Sequence, residues 1–167
     1  MDFSKWDKEV DEKEMEKAID EARENNSREG LEAPKGLYMA TIENMELGAT
    51  KKDGRPMFRV QLRVTEAVDE PDNVAACEYL THFKKKKPCL FMNRVIAGTK
   101  NDAGAIAGVI TWLEKLEPEE PPKFKNYNQF AELIMDIFEE VSEAVELKVY
   151  YDPDKFQTIL IKEVYDL

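Results

Sequence analysis

A chain of 167 residues with 43% hydrophobic and 35% charged side chains is long enough for one domain with a core plus an appendage, and too short for two independent domains of ordinary size. Its longest apolar runs fall well short of the roughly 18 residues that span a bilayer. Residues 1–26 lack the basic start and apolar segment of a secretory signal, so the expectation is a cytoplasmic protein in which Cys77 and Cys89 stay reduced. The formal net charge of −11 opposes a polyanionic ligand in bulk, yet it is unevenly spread. Residues 1–34 hold 6 basic and 12 acidic side chains, residues 35–113 hold 12 and 9, and residues 114–167 hold 6 and 14.

Residues 7–25 have no Gly or Pro and carry Glu-to-Lys pairs such as Glu9 with Lys13, which predicts a helix. Phe3, Trp6, Val10, Met15, Ala18, Ile19 and Ala22 give it only a thin apolar stripe. Asn25 to Lys35 reads as a linker from its Gly, Pro and polar content. The expected division is a charged helical arm and linker over 1–33 and a globular domain over 34–167.

Gly36 to Val64 predicts a β-hairpin. Phe58, Val60, Leu62 and Val64 alternate with Arg59, Gln61 and Arg63, the period-two pattern of a strand with one buried face; its other face is cationic. Asp53-Gly54 tolerates the positive φ of a hairpin turn, and Pro56 begins the second strand. Lys51, Lys52 and Arg55 make the hairpin tip basic.

Ala75 to Phe83 reads as a third strand with Tyr79, Thr81 and Phe83 on one face. It is stopped by Lys84, Lys85, Lys86 and Lys87 and by Pro88. Leu90 to Ala97 reads as the start of a helix that breaks at Gly98. Asp102 is the expected N-cap of a run to Leu116, and the prolines at 118, 121 and 122 mark a loop. Tyr127 to Ser142 is the clearest amphipathic helix, with Phe130, Leu133, Ile134, Ile137, Phe138 and Val141 at i, i+3, i+4, i+7, i+8 and i+11. Val145, Leu147, Val149 and Tyr151, then Phe156 to Tyr165, close the chain as a second hairpin.

The predicted class is mainly β with added helices. Its element order matches an OB-fold, a five-stranded Greek-key barrel, here with an N-terminal helical arm and a helical insertion after strand 3 over roughly 90–125. Barrels of this kind bind single strands or sugars on the strand 2 to 3 face and the 1-2 and 4-5 loops.

Pro34-Lys-Gly-Leu-Tyr, the turn Thr50-Lys-Lys-Asp-Gly-Arg-Pro, the strand Met57 to Val64, Leu147-Lys-Val-Tyr-Tyr and Phe156 to Val164 together resemble the phage-encoded single-stranded DNA-binding proteins with an OB-fold. The resemblance covers residues 34–66 and 126–165 and implies non-catalytic binding of single-stranded DNA in phage replication or recombination. Such sites pair a cationic groove with rings that stack on bases. Lys51, Lys52, Arg55, Arg59, Arg63 and Lys84 to Lys87 are the groove candidates; Tyr79, Phe83, Tyr150 and Phe156 are the stacking candidates. Each has a plainer alternative, solvated strand faces for the arginines and core packing for the rings. The acidic arm is expected to recruit replication or recombination proteins, or to lie on the groove as an internal competitor. Unchanged affinity and salt dependence after deletion of residues 1–33 would rule out that competition.

Enzymatic patterns are scarce. One histidine, His82, cannot build a hydrolytic triad or a His-rich metal site, and no phosphate-binding glycine loop occurs. Cys77, His82 and Cys89 lack a fourth ligand and the short cysteine spacing of structural zinc sites. The expectation is therefore a non-enzyme with no cofactor, no metal and no membrane, with self-association left open. The competing expectation is an acidic protein-interaction module, one that binds a replication partner or imitates DNA with its own carboxylates.

Overall fold

A computed structural model describes residues 4, 11–27, 32–96 and 101–167. The chain divides into two compact units, Met1–Glu32 and Ala33–Leu167. In the first, α1 (Glu12–Ser27) is capped by Asp11, whose Oδ1 accepts from the backbone N–H groups of Lys13 at 3.0 Å and Glu14 at 3.1 Å. Met15 and Ile19 are exposed on it. Phe3, Trp6 and Val10 of the expected stripe, residues 28–31 of the linker and the helix break at Gly98 lie outside the described residues.

The second unit is built on β1 (Gly36–Ala49) and β2 (Pro56–Ala67), paired antiparallel from Tyr38 with Ala67 to Ala49 with Pro56. The connecting turn closes through Thr50 N–H to Arg55 O at 2.9 Å, and Gly54 takes φ +68° there, a conformation that suits glycine. Two irregularities in β1, at Met39/Ala40 and Ile42/Asn44, bend and twist the strand. Its first residues, Gly36 to Ala40, also pair with β4 (Val145–Asp152). β5 (Thr158–Asp166) pairs with β4, and β3 (Cys89–Val95) with β2.

The strand order is β3-β2-β1-β4-β5, an antiparallel, open sheet. The expected closed barrel is not formed, because β3 and β5 remain edge strands with no ladder between them. Side chains bridge them instead. Arg94 of β3 donates from Nη2 to Thr158 Oγ1 at 2.7 Å and from Nη1 to the carbonyl of Phe156 at 3.2 Å. Trp112 of α3 (Asp102–Glu114) donates its indole N–H to the Ile159 carbonyl at 3.0 Å and packs edge-on against Phe58, with ring centroids 5.6 Å apart. The tryptophan thus satisfies an edge carbonyl of β5 that a neighbouring strand would otherwise have paired.

Two elements differ from the sequence reading. Residues read as a third strand form α2 (Val74–Leu80), entered through a 3₁₀ turn at Pro71–Asn73. Ala76, Tyr79, Leu80 and Phe83, spaced i, i+3, i+4 and i+7, are all buried while Thr81 is exposed; the apolar period is helical, and alternate aromatics mimic a strand. Conversely, the segment read as starting a helix at Leu90 supplies β3 (Cys89–Val95), with Ala97 outside the described residues. Leu90 and Met92 are buried, and Phe91 and Asn93, alternating with them, are exposed. The apolar run conceals that alternation.

α4 (Tyr127–Val141) starts at Asn126, whose side chain accepts from Gln129 N–H at 2.8 Å. It lays Phe130, Ile134, Ile137 and Val141 against β1. Each such side chain contributes roughly 1.5–3 kcal/mol on full burial. With Tyr38, Phe58, Leu62, Leu147 and Ile159, all fully buried, they form the core under one face of the sheet. The other face of β2 and β3 is left to solvent.

Candidate nucleic-acid interface

The uncovered face of β2 and β3 carries three cross-strand pairs: Arg59 with Asn93, Gln61 with Phe91, and Arg63 with Cys89. From Arg59 to Arg63 the row spans about 13 Å at strand rise. Phe91 is 47% exposed, an aromatic ring held between two arginine rows. Sequence reasoning misses it because its segment reads as helix. No signal in the sequence marks it, since Leu90, Phe91 and Met92 are all apolar.

Both arginines already have partners. Arg63 forms a two-pronged contact with Glu43, Nε to Oε2 at 2.7 Å and Nη2 to Oε1 at 2.8 Å, and donates from Nη1 to the Lys87 carbonyl at 2.7 Å. Its hydrogen bonds hold the Glu43 carboxyl below the ordinary glutamate range. Arg59 donates to the Ala49 carbonyl at 2.8 Å and lies 3.5 Å from Glu46. Arg55, at the hairpin tip, pairs with Asp53 at 2.7 Å. Asp53 is itself held below its usual range, first by the Thr50 hydroxyl and then by Arg55.

The lysines are distributed at the two ends of this row. Lys51 and Lys52 sit exposed in the β1–β2 turn, beyond Arg59. Lys84, Lys85 and Lys86 are exposed in the segment that Arg63 ties down through Lys87, and Lys87 Nζ donates to the Phe83 carbonyl at 3.1 Å. Lys51, Lys52, Lys84 and Lys85 make no ion pair among the described residues.

The four aromatic candidates separate. Tyr79 and Phe83 are buried, packed edge-on with centroids 5.0 Å apart, because helical spacing turns both inward. They cannot offer a face to a base without unpacking the core. Tyr150 lies half-buried on β4, opposite Leu37 and Leu160, with Lys162 Nζ 5.9 Å from its ring centre; in the strand order it is separated from β2 by β1. Phe156 is 90% exposed in the β4–β5 turn. Its φ of +55° is followed by +53° at Gln157, a pair of left-handed residues that costs on the order of 1 kcal/mol or more each. The Arg94 hydrogen bonds hold this turn beside the end of β3.

The chain matches no protein-family model and no curated protein.

Among the described residues no group of three or more His, Cys, Asp or Glu could hold a metal ion, and no helix is long and apolar enough to cross a membrane. Cys89 accepts from Gln61 Nε2 at 3.3 Å, and burial pushes its thiol above the ordinary range, which makes it a poor nucleophile. The β2–β3 face offers one exposed ring, amide side chains at Gln61 and Asn93, guanidinium groups that carry their own carboxylates, and ammonium groups without acid partners at both ends. Chemically, such groups can stack on planar and pair with anionic parts of a ligand.

Proposed function

We propose that the chain binds single-stranded DNA without catalysis, on the exposed face of β2 and β3. In this reading the chain belongs with the phage-type single-strand binders, and its sheet is an opened form of the five-stranded OB barrel. The order β3-β2-β1-β4-β5 supports that, since joining its two ends would complete such a barrel. The observation that carries the reading is Phe91, exposed between Arg59 and Arg63 with lysines beyond both ends of the row. Bases stack on the ring while the lysines follow the backbone, each stack contributing about 1–3 kcal/mol. Phe156, in the 4-5 loop, is the second platform. Because Arg55, Arg59 and Arg63 carry carboxylate partners, the lysines neutralise most of the phosphates.

Anisotropy of a labelled oligothymidine, at low and physiological salt and beside a duplex control, tests this. The single strand binds more tightly than the duplex and is weakened by salt. Phe91→Ala removes about 1–3 kcal/mol, and replacing Lys84 to Lys87 by alanine lowers the salt slope by about 0.7 for each phosphate no longer neutralised. Full binding by both variants would refute the site.

A second reading has one observation in its favour. Pairing of Arg59 with Glu46 and of Arg63 with Glu43 leaves the face close to neutral in a chain of charge −11, as a protein-interaction module would have it. Absence of oligothymidine binding at low salt selects that reading.

A further inference from the structure

The gap between the two edge strands is more than a failed closure. It is a cleft of about 220 Å³ whose walls come from β3, β5 and α3 and whose lining is predominantly apolar. Phe58 and Trp112 line its depth, and Val95 and Leu160, 46% and 40% exposed, line its rim. Arg94 also lines it. Of the four arginines in residues 33–167, Arg55, Arg59 and Arg63 each have a carboxylate partner, whereas Arg94 pairs with no acid among the described residues. Two of its N–H groups are used, by Thr158 and Phe156, and a guanidinium has five. Burial disfavours its charged form, as a half-buried cation without a counter-charge requires.

We propose that this cleft binds an acidic peptide that places one large apolar side chain between β3 and β5 and an adjacent carboxylate on Arg94. The volume suits a single side chain of leucine or phenylalanine size. The chemistry of the walls selects against a nucleobase. Apart from Arg94, the polar groups among the described lining side chains are the Trp112 indole N–H, committed to the Ile159 carbonyl, and the Thr158 hydroxyl, committed to Arg94 and to the Lys155 carbonyl. A buried base would leave its ring nitrogens and carbonyls unpaired there, a cost that an aliphatic or phenyl group does not incur. A carboxylate matches the planar fork of the guanidinium. This site does not depend on the nucleic-acid reading, since Phe58, Arg94 and Met92 lie on the face of β2 and β3 opposite Arg59, Phe91 and Arg63.

Trp112 supplies the readout. In the full chain with Trp6→Phe, the other tryptophan is removed, and fluorescence then reports the cleft alone. The probe is a blocked pentapeptide with one leucine flanked by aspartates, compared with versions carrying serine for leucine or asparagine for aspartate, and with thymidine monophosphate. The expected result is saturable binding of the first peptide in the sub-millimolar range and at least tenfold weaker binding of the two altered ones. Arg94→Gln weakens it at least tenfold. Because that change also frees the β4–β5 turn, Gly108→Leu is the second variant. Gly108 lines the cleft, and a Cβ there meets nothing within 4 Å, so the added side chain fills the space while thermal melting stays unchanged or rises. Undiminished peptide binding in Gly108→Leu overturns the proposal, as does no signal up to millimolar peptide. Saturation by thymidine monophosphate in place of the peptide overturns it too and makes the cleft a nucleotide subsite.

Discussion

Glu43 is where charge and fold meet most closely at the level of single residues. Its carboxylate fixes Arg63, and Arg63 in turn fixes the backbone at Lys87. Its folded pKa lies below the ordinary 4.5, so the pair's contribution is fully present above that value and is lost as pH falls through the lower, folded pKa. The pair is partly exposed, which limits the contribution to about 1 kcal/mol or less. Urea unfolding at pH 7 and pH 3 should show Glu43→Gln costing that much at pH 7 and less at pH 3; an equal cost at both would mean that shape and not charge matters there. Gly36 is constrained differently. A Cβ there would fall 2.5 Å from Asn73 Oδ1 and 3.0 Å from Ala76 Cβ. Asn73 cannot yield, because its buried amide accepts from Leu37 N–H at 2.9 Å and donates to the Leu37 and Val68 carbonyls at 2.8 Å each. Gly36→Ala is therefore expected to cost about 1–3 kcal/mol, read as a lowered urea midpoint at constant slope.

At the level of elements, α2 and β3 exchange the roles that their sequences suggest, and the exchange decides which rings are available. Phe83→Ala removes a side chain that is 3% exposed and should cost about 3–5 kcal/mol of stability. Phe91→Ala should cost well under 1 kcal/mol of stability while acting on oligothymidine affinity. Chemical denaturation and anisotropy on the same pair of variants separate the two roles; a stability loss at Phe91 as large as at Phe83 would place its ring in the core. The β1–β2 hairpin, α4 and the closing hairpin are legible in the sequence because one face of each is buried, so polar and apolar residues alternate cleanly at period 2 or 3.6. α2 is not, because Tyr79 and Phe83 fit both a strand face with Thr81 and a helix face with Ala76 and Leu80. β3 is hidden by apolar residues on both its faces. The basic residues are legible as types and in number. Their neutralisation by Glu43, Glu46 and Asp53 is not, since Glu43 and Arg63 are twenty residues apart and meet only through register. Arg94 does not stand out either, because nothing in its neighbours along the chain marks an arginine without an acid.

At the scale of the whole molecule, the uneven charge and the open sheet act together. The middle of the chain is the only third with a positive balance, and it supplies β2, β3 and the two lysine clusters. A net −11 slows the approach of any polyanion, and the effect fades as salt screens it, with a Debye length of about 8 Å at physiological ionic strength. The closing side chains, Arg94 and Trp112, take the place of a final ladder, so the β3–β5 seam is held by individual groups and not by a cooperative row of backbone bonds.

The bent strand β1 is the element that joins the two hairpins: β2 runs along nearly all of it, and β4 meets only its first five residues. In time, this makes assembly a two-stage event. Each hairpin can form from neighbours in sequence, whereas pairing Leu37 with Tyr150 joins positions more than one hundred residues apart, a loop closure whose length-dependent part is about 4 kcal/mol. Contacts at that joint should form late. Leu147→Ala, at the joint, should speed unfolding with little effect on the refolding rate, and Leu62→Ala, within the first hairpin, should slow refolding in stopped-flow measurements. The residues that bring β1 to β4 would then govern how long the native protein lasts more than how quickly it is made.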